Sequence, residues 1–112
     1  MAEDYGYSPD VCGYVKADVA MQLQGGKHSM GRLPKPALAL ATNACNTYVK
    51  WAEFWERYYK IPMVTLDIPG SRTAAGGAAP GTDAFESDRR YLEIQLRELI
   101  AECERITGTR LD

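Results

Sequence analysis

Two of the three cysteines occupy matching positions in the sequence, and a cysteine at such a position can act as a reactive thiol or a metal ligand. Cys12 in "DVCGYVKAD" and Cys45 in "NACNTYVKWAE" each precede a Tyr-Val-Lys stretch at the start of a predicted helix. The positive end of a helix dipole favours a thiolate, which is the form of cysteine that attacks electrophiles and binds metals. Cys12 and Cys45 are therefore candidate reactive thiols or metal ligands. The structural alternative is a cysteine packed beneath a loop.

The spacing of these cysteines excludes the common local metal motifs. Cys12 and Cys45 are 33 positions apart, unlike the short spacing of a zinc ribbon or a linear ferredoxin run. Two thiols make an incomplete metal site, so further ligands must come from elsewhere. The third cysteine, Cys103, lies between Ile100 and Ile106 on an apolar helix face, where we expect a buried, inert thiol.

A few other polar residues are candidates for substrate contact. His28 lies in a glycine-rich loop, although a solvated loop histidine explains it equally well. Asn43 and Asn46 flank Cys45, and we place them with His28 in the predicted substrate pocket. Asp67 ends a predicted strand, where α/β enzymes place functional side chains, or it caps the turn. No Walker A loop, GxGxxG or HExxH motif is present.

Length and charge narrow the class of protein. The chain has 112 residues, which suits one domain, and a formal net charge of −2 with both signs mixed. This balance argues against a nucleic-acid partner, which would select a basic stripe. No apolar run reaches the roughly 20 residues of a membrane span, and the polar N-terminus is unlike a secretory signal. We expect a cytoplasmic protein without a membrane partner.

The elements that must position the cysteines alternate along the chain. Ser8 and Pro9 predict the start of a first helix that ends at Gly25-Gly26 and is followed by a loop. Short apolar runs then predict two buried strands, separated by a helix from about Asn43 to Lys60. The order predicted for the chain is helix, strand, helix, strand, linker and long helix. This order indicates an α/β fold: a partial, Rossmann-like, three-layer domain with a parallel sheet.

The predicted organisation has three parts. Residues 1–69 form the α/β part, residues 70–85 a flexible linker rich in Gly, Ala and Pro, and residues 86–112 a helix. Ser87 or Asp83 is the predicted cap of that helix, and its predicted buried face comprises Leu92, Leu96, Leu99, Ile100, Cys103 and Ile106. Two strands leave sheet edges uncovered, so we expect a fragment of a longer polypeptide, with a second domain beyond the helix, or a piece stabilised by a partner.

Three stretches resemble the benzoyl-CoA reductase and 2-hydroxyacyl-CoA dehydratase family. They are "CGYVKADVAMQ", "PKPALALATNACNTYVKWAEFWERYYKIP" and "VTLDIPG", and the resemblance extends over about residues 6 to 112. The length of "KWAEFWERYYKIPMVTLDIPG" is most similar to a cluster-bearing subunit of the ATP-dependent benzoyl-CoA reductases.

The resemblance implies a cofactor, a substrate and partners. Cys12 and Cys45 match two positions that ligate a 4Fe–4S cluster near an acyl-CoA thioester, with a further ligand outside this chain. Implied partners are other reductase subunits, including an ATP-hydrolysing electron-activating pair, and ferredoxin as the upstream donor. The implied activity is reduction of the aromatic ring of benzoyl-CoA to a cyclic dienoyl-CoA, with the isolated chain inactive.

Two alternatives stay open at this point. A 2-hydroxyacyl-CoA dehydratase component would use the same cluster in a lyase reaction on a hydroxyl-bearing thioester. A truncated, non-catalytic scaffold would bind partner subunits without a cluster. An assay with each thioester distinguishes the reductase from the dehydratase. Iron and sulfide analysis tests whether the chain is a scaffold without a cluster.

Overall fold

The computed structural model describes residues 3–69 and 77–111, which form three α-helices and four short strands. A single 3-10 turn at Glu3–Tyr5 precedes them. The helices are α1 (Gly13–Leu23), α2 (Asn46–Tyr59) and α3 (Asp83–Thr107), and the strands are β1 (Lys27–His28), β2 (Gly31–Arg32), β3 (Ala39–Thr42) and β4 (Met63–Leu66).

The centre of the fold is a parallel β3–α2–β4 unit. The strands β3 and β4 pair in parallel, with Ala39 opposite Met63 and Thr42 opposite Leu66. Parallel strands need a long crossover connection, usually a helix, because the chain has to return to the same end of the sheet, and α2 provides it here. Small residues on β3 let α2 approach closely, and the buried cluster is Ala39, Ala41, Ala52 and Ile61. The predicted partial α/β fold is thus confirmed.

The helices α1 and α2 lie side by side, joined by polar contacts within an apolar interface. Both carboxylate oxygens of Asp18 are used: Oδ2 accepts from the indole N–H groups of Trp51 (2.7 Å) and Trp55 (2.8 Å). Its Oδ1 accepts from Gln22 Nε2 at 3.1 Å, and Gln22 is only 1% exposed. The Tyr59 hydroxyl completes this buried group by donating to Gln22 Oε1.

The first helix begins later than predicted. The structure starts α1 at Gly13, with Cys12 as the N-cap, rather than at Pro9. The residues around Ser8 form a separate turn, because Ser8 Oγ accepts from the Asp10 amide at 3.3 Å and the Ser8 carbonyl accepts from Val11 at 3.2 Å. Cys12 is therefore a capping residue and does not lie inside the first turn.

The region predicted as a loop after α1 contains a small hairpin. The strands β1 and β2 pair antiparallel, with Lys27 opposite Arg32. Gly26 precedes the hairpin at φ +76, and a Cβ there would lie 2.9 Å from the Leu33 carbonyl oxygen. This left-handed, crowded position selects glycine. The loop prediction was wrong because two-residue strands have too few residues to show an alternating pattern.

The last helix is longer and less buried than predicted. It starts at Asp83, inside the predicted linker, and its N-cap is Thr82, whose hydroxyl accepts from the Phe85 amide at 3.2 Å. The caps predicted at Ser87 or Asp83 were therefore wrong. Gly108, at φ 67, ends the helix. Residues 70–76 of the predicted linker lie outside the described residues.

The predicted buried face of α3 is not covered in this structure. None of its described side chains is buried, and Leu96 and Ile100 are 47% and 44% exposed. Cys103 is half-buried, so the expectation of a fully buried thiol was wrong for this chain. The helix α3 contacts β4 and Asp67, the residue that follows this strand. Within residues 3–69 and 77–111, no helix is both long enough and apolar enough to cross a bilayer.

Candidate functional site

Cys12 and Cys45 occupy the same structural position on two adjacent helices. Cys12 is the N-cap of α1 and Cys45 is the N-cap of α2. Contacts along the helix pair run in the same order: Asp18 meets Trp51 and Trp55, and further along the chain Gln22 meets Tyr59. The two helices are therefore parallel, and their N-termini lie at the same end of the pair.

The residues next to the two cysteines line one apolar groove. Val11 precedes Cys12, Asn46 follows Cys45, and both border a cavity of about 320 Å³ between the starts of α1 and α2. The remaining lining residues are Tyr7, Val15, Val19, Thr47, Lys50, Trp51 and Phe54. A thiol at either N-cap thus lies beside a largely apolar surface that both helices build.

Cys45 is the more reactive candidate by its surroundings. Its side chain is exposed and makes no capping hydrogen bond to the helix backbone. The Thr47 hydroxyl, followed by the amides of Thr47 and Tyr48, nevertheless lowers the pKa of the Cys45 thiol. Donors aimed at the sulfur stabilise the thiolate more than the thiol. This is the environment that a thiolate metal ligand or a nucleophile requires.

The lysines that follow the cysteines are paired locally. Lys16 Nζ lies 2.7 Å from Glu3 Oε1 and donates to the Pro9 carbonyl at 3.0 Å. The hydrogen bond from Lys16 holds the pKa of Glu3 down at about 2. Lys50 pairs with Glu53 at 3.0 Å. Each lysine is therefore paired with a nearby carboxylate.

The described residues do not by themselves bring together a complete metal site. Within the described ranges, no group of three or more His, Cys, Asp or Glu side chains could hold a metal ion. A 4Fe–4S cluster takes four ligands, usually cysteine thiolates. Two thiols at one end of a parallel helix pair, one of them with a lowered pKa, fit as a subset of those ligands. The remaining ligands would come from other residues.

The other predicted pocket residues are dispersed. Asn46 borders the groove beside Cys45. The side-chain amide of Asn43 is bound to Asp67 and to the backbone of Ile68. His28 lies on β1, past the opposite end of α1, a helix of 11 residues and about 16 Å. The structure therefore places His28 away from the two cysteines, and the substrate role of all three residues stays a prediction.

Some structurally important residues were missed by the sequence analysis. Asp18 joins the two cysteine-bearing helices by accepting hydrogen bonds from both indoles of α2. A carboxylate on the face of α1 that meets α2 was the feature that could have identified this contact. Tyr91 and Gln95 bind Asp67, but nothing in their spacing pointed to a strand 24 or more residues earlier. Contacts of this kind depend on how α3 docks, which local patterns do not encode.

The class of protein follows from comparison with known families. A family model described as "2-hydroxyglutaryl-CoA dehydratase, D-component" matches residues 1–112. The chain belongs to this family, which confirms the resemblance seen in the sequence.

The individual relatives are components of two kinds of enzyme. A benzoyl-CoA reductase subunit of Thauera aromatica is 45% identical over 99% of this chain and 24% of the relative. The (R)-phenyllactyl-CoA dehydratase alpha subunit of Clostridium sporogenes is 33% identical over 99% of the chain and 25% of the relative. The (R)-2-hydroxyisocaproyl-CoA dehydratase alpha subunit of Clostridioides difficile is 27% identical over 100% and 26%. The chain spans about a quarter of the length of these relatives.

Proposed function

We propose that this chain supplies two thiolates, Cys12 and Cys45, to a 4Fe–4S cluster in a subunit of a benzoyl-CoA reductase. The activity proposed for the whole protein is reduction of the aromatic ring of benzoyl-CoA to a cyclic dienoyl-CoA. The parallel packing of α1 and α2 supports the ligand proposal most directly, because it brings both N-cap cysteines to one end of the fold.

The identity of the relatives supports the reductase over the dehydratase. The chain is 45% identical to a benzoyl-CoA reductase subunit, and 33% and 27% identical to two dehydratase alpha subunits. A 2-hydroxyacyl-CoA dehydratase component remains the second candidate, because the matching family model and several relatives are dehydratases. The two enzymes would differ in the thioester on which they act.

The proposed role of the chain's own residues is to stabilise the two thiolate ligands and to exclude water from the site. The cluster, when bound, supplies low-potential electrons for the difficult reduction of the ring. The Thr47 hydroxyl, and after it the amides of Thr47 and Tyr48, stabilise the thiolate of Cys45, and the helix dipoles favour negative charge at both N-caps. The apolar groove beside them provides a surface from which a substrate's acyl group would displace water.

The proposal extends to partners. The relatives are named as subunits, which supports an assembly with other chains. We propose other reductase subunits as partners, together with an ATP-hydrolysing pair that delivers electrons from ferredoxin, and an acyl-CoA thioester as substrate.

Anaerobic iron and acid-labile sulfide analysis tests the ligand proposal. The purified chain would be loaded with iron and sulfide in the presence of a small thiol that completes the coordination. We expect iron in the wild-type chain and its loss in Cys12→Ser and Cys45→Ser, because a hydroxyl is a poor iron ligand at neutral pH. Cys103→Ser is the matched control and should retain iron.

The alternatives give different outcomes of the same experiment. A wild-type chain that binds no iron would favour the non-catalytic scaffold. Loss of iron in Cys103→Ser with retention in Cys45→Ser would show that the ligand assignment is wrong. If iron binding follows the proposal, turnover of benzoyl-CoA against a 2-hydroxyacyl-CoA by the assembled complex decides between reductase and dehydratase.

A further inference from the structure

Asp67 joins three elements at the carboxyl end of the parallel sheet. It follows β4 directly, and its two carboxylate oxygens have different partners. Oδ1 accepts a hydrogen bond from Asn43 Nδ2, in the turn between β3 and α2. Oδ2 accepts from the Tyr91 hydroxyl of α3 at 2.8 Å. One side chain therefore connects the end of β3, the end of β4 and the last helix.

The backbone of Asp67 is also fixed, and again by α3. Gln95 Oε1 accepts from the Asp67 amide at 2.7 Å, and Gln95 Nε2 donates to the Asp67 carbonyl at 3.0 Å. Tyr91 and Gln95 are four residues apart, so they project from the same face of the helix. The side chain and the backbone of Asp67 are thus held by adjacent turns of α3.

Asn43 connects Asp67 to the turn between β3 and α2, which ends at Cys45. Its Oδ1 accepts from the Ile68 amide at 2.9 Å, and its Nδ2 donates to the Ile68 carbonyl at 3.2 Å. The Asn43 amide donates to the Leu66 carbonyl at 3.2 Å. Asn43 is two residues before Cys45, so little chain separates this anchored residue from the N-cap of α2.

We propose that Asp67 is a positioning residue for Cys45, acting through Asn43 and held in place by Tyr91 and Gln95 of α3. The proposal rests on the function proposed above, in which Cys45 is a cluster ligand. The proposal assigns α3 a role in the site, although neither of the two proposed ligands lies on this helix. Through Asp67 and Asn43, α3 fixes the position of the turn between β3 and α2, and therefore of the Cys45 thiol.

The chemistry of the contacts supports this role. Hydrogen bonds to a carboxylate are stronger than those between neutral groups. The hydrogen bond to Asp67 also raises the pKa of Tyr91, because ionisation would place two negative charges side by side. A ligand must be held within a fraction of an ångström, and partners behind the ligand provide that precision.

A spin label on Cys45 provides a direct test in the 112-residue chain. A Cys12→Ser/Cys103→Ser background leaves the exposed Cys45 as the labelling site. We expect the label to become more mobile in Asp67→Ala, and to a lesser degree in Tyr91→Phe. Asp67→Asn should give a spectrum between those of the wild type and Asp67→Ala, because its amide oxygen still accepts from Asn43 but carries no charge. Tyr14→Phe is the matched control, since Tyr14 is 82% exposed and makes none of these contacts.

Hydrogen exchange supplies a second measurement that needs no label. The Asn43 amide donates to the Leu66 carbonyl and the Tyr48 amide to the Cys45 carbonyl. We expect protection of these two amides to fall about tenfold in Asp67→Ala, as the loss of the charge-assisted hydrogen bond to Asn43 predicts. A label on Cys12, in a Cys45→Ser/Cys103→Ser background, should not respond to any of these substitutions. Equal loosening at Cys12 and Cys45 would show a general structural role and overturn the proposal.

The outcomes separate this proposal from the proposed function. An unchanged Cys45 label in Asp67→Ala, together with loss of iron in Cys45→Ser, would reject the positioning role alone. A Cys45 label that responds as expected, in a chain whose Cys45→Ser variant retains iron, would reject the ligand role and leave Asp67 as an anchor of the turn.

Discussion

At the scale of single residues, the three thiols differ in surroundings, and their reactivity should differ accordingly. Cys45 is exposed and lies beside the Thr47 hydroxyl, which lowers the pKa of its thiol, whereas Cys103 is half-buried on α3. A lower pKa means a larger thiolate fraction at neutral pH, and the thiolate is the reactive species. We predict that an alkylating reagent modifies Cys45 faster than Cys103 in the iron-free chain. Peptide mapping by mass spectrometry at several times would measure both rates.

The control for this prediction is Thr47→Val, which keeps the shape and removes the hydroxyl. It should slow modification of Cys45 and leave Cys103 unchanged. Faster modification of Cys103 than of Cys45 in the native chain would contradict the environment described here.

The contact between Tyr91 and Asp67 should weaken at alkaline pH, and the packing of α3 should weaken with it. Its pKa is raised, first by the hydrogen bond to Asp67. A group whose pKa is raised on folding contributes stability below its unfolded value of about 10, and that contribution is lost as the pH rises through the folded value. Burial also raises the pKa of Tyr59. We therefore predict that tyrosinate absorbance shows two tyrosines titrating late in the wild-type chain, and that only one late tyrosine remains in Tyr91→Phe. A titration curve unchanged by Tyr91→Phe would contradict the contact.

At the scale of elements, the polar group between α1 and α2 should matter more for stability than its size suggests. Removing the Asp18 carboxylate would leave the indoles of Trp51 and Trp55 and the buried amide of Gln22 without their acceptor. An unsatisfied buried donor costs about 1–3 kcal/mol. We predict that Asp18→Ala lowers the free energy of unfolding by about 2 kcal/mol or more, measured by urea titration with tryptophan fluorescence.

Two further variants test whether the hydrogen bonds are the cause. Asp18→Asn should cost less, because the amide oxygen still accepts one of the donors. Asp10→Ala, at an exposed position before α1, should change stability by less than about 0.5 kcal/mol. If Asp18→Ala and Asp10→Ala have the same small effect, the polar group does not hold the helix pair together.

The sequence predicted the elements with long, consistent patterns and missed those that depend on a few residues. The β3–α2–β4 unit was recognisable because a helix lay between two apolar runs with short connections. The start of α1 was misplaced because Ser8 and Pro9 suit a turn as well as a helix. The matching sequence settings of Cys12 and Cys45 correspond to N-cap positions on α1 and α2. The contacts of Asp67 with α3 were not predictable, because they join residues 24 or more positions apart without a local pattern.

At the scale of the whole molecule, the chain is less compact than a folded domain of its length. Its radius of gyration is 17.3 Å, compared with about 13 Å expected for this number of residues. Its accessible surface is 7998 Å², compared with roughly 6100 Å² for a monomer of this mass. Apolar side chains account for part of this excess, including Leu40 at 53%, Ile94 at 52% and Ile100 at 44% exposed.

We therefore predict that the isolated chain self-associates unless partner chains are present, because exposed apolar surface of this extent favours association. Sedimentation velocity over a range of concentrations would show a rising average mass. Ile100→Lys, on the open face of α3, should shift the distribution toward the monomer. Met30→Lys is the matched control: Met30 is 90% exposed between β1 and β2, outside the large apolar surfaces. A wild-type chain that stays monomeric and melts cooperatively at all concentrations would contradict the prediction.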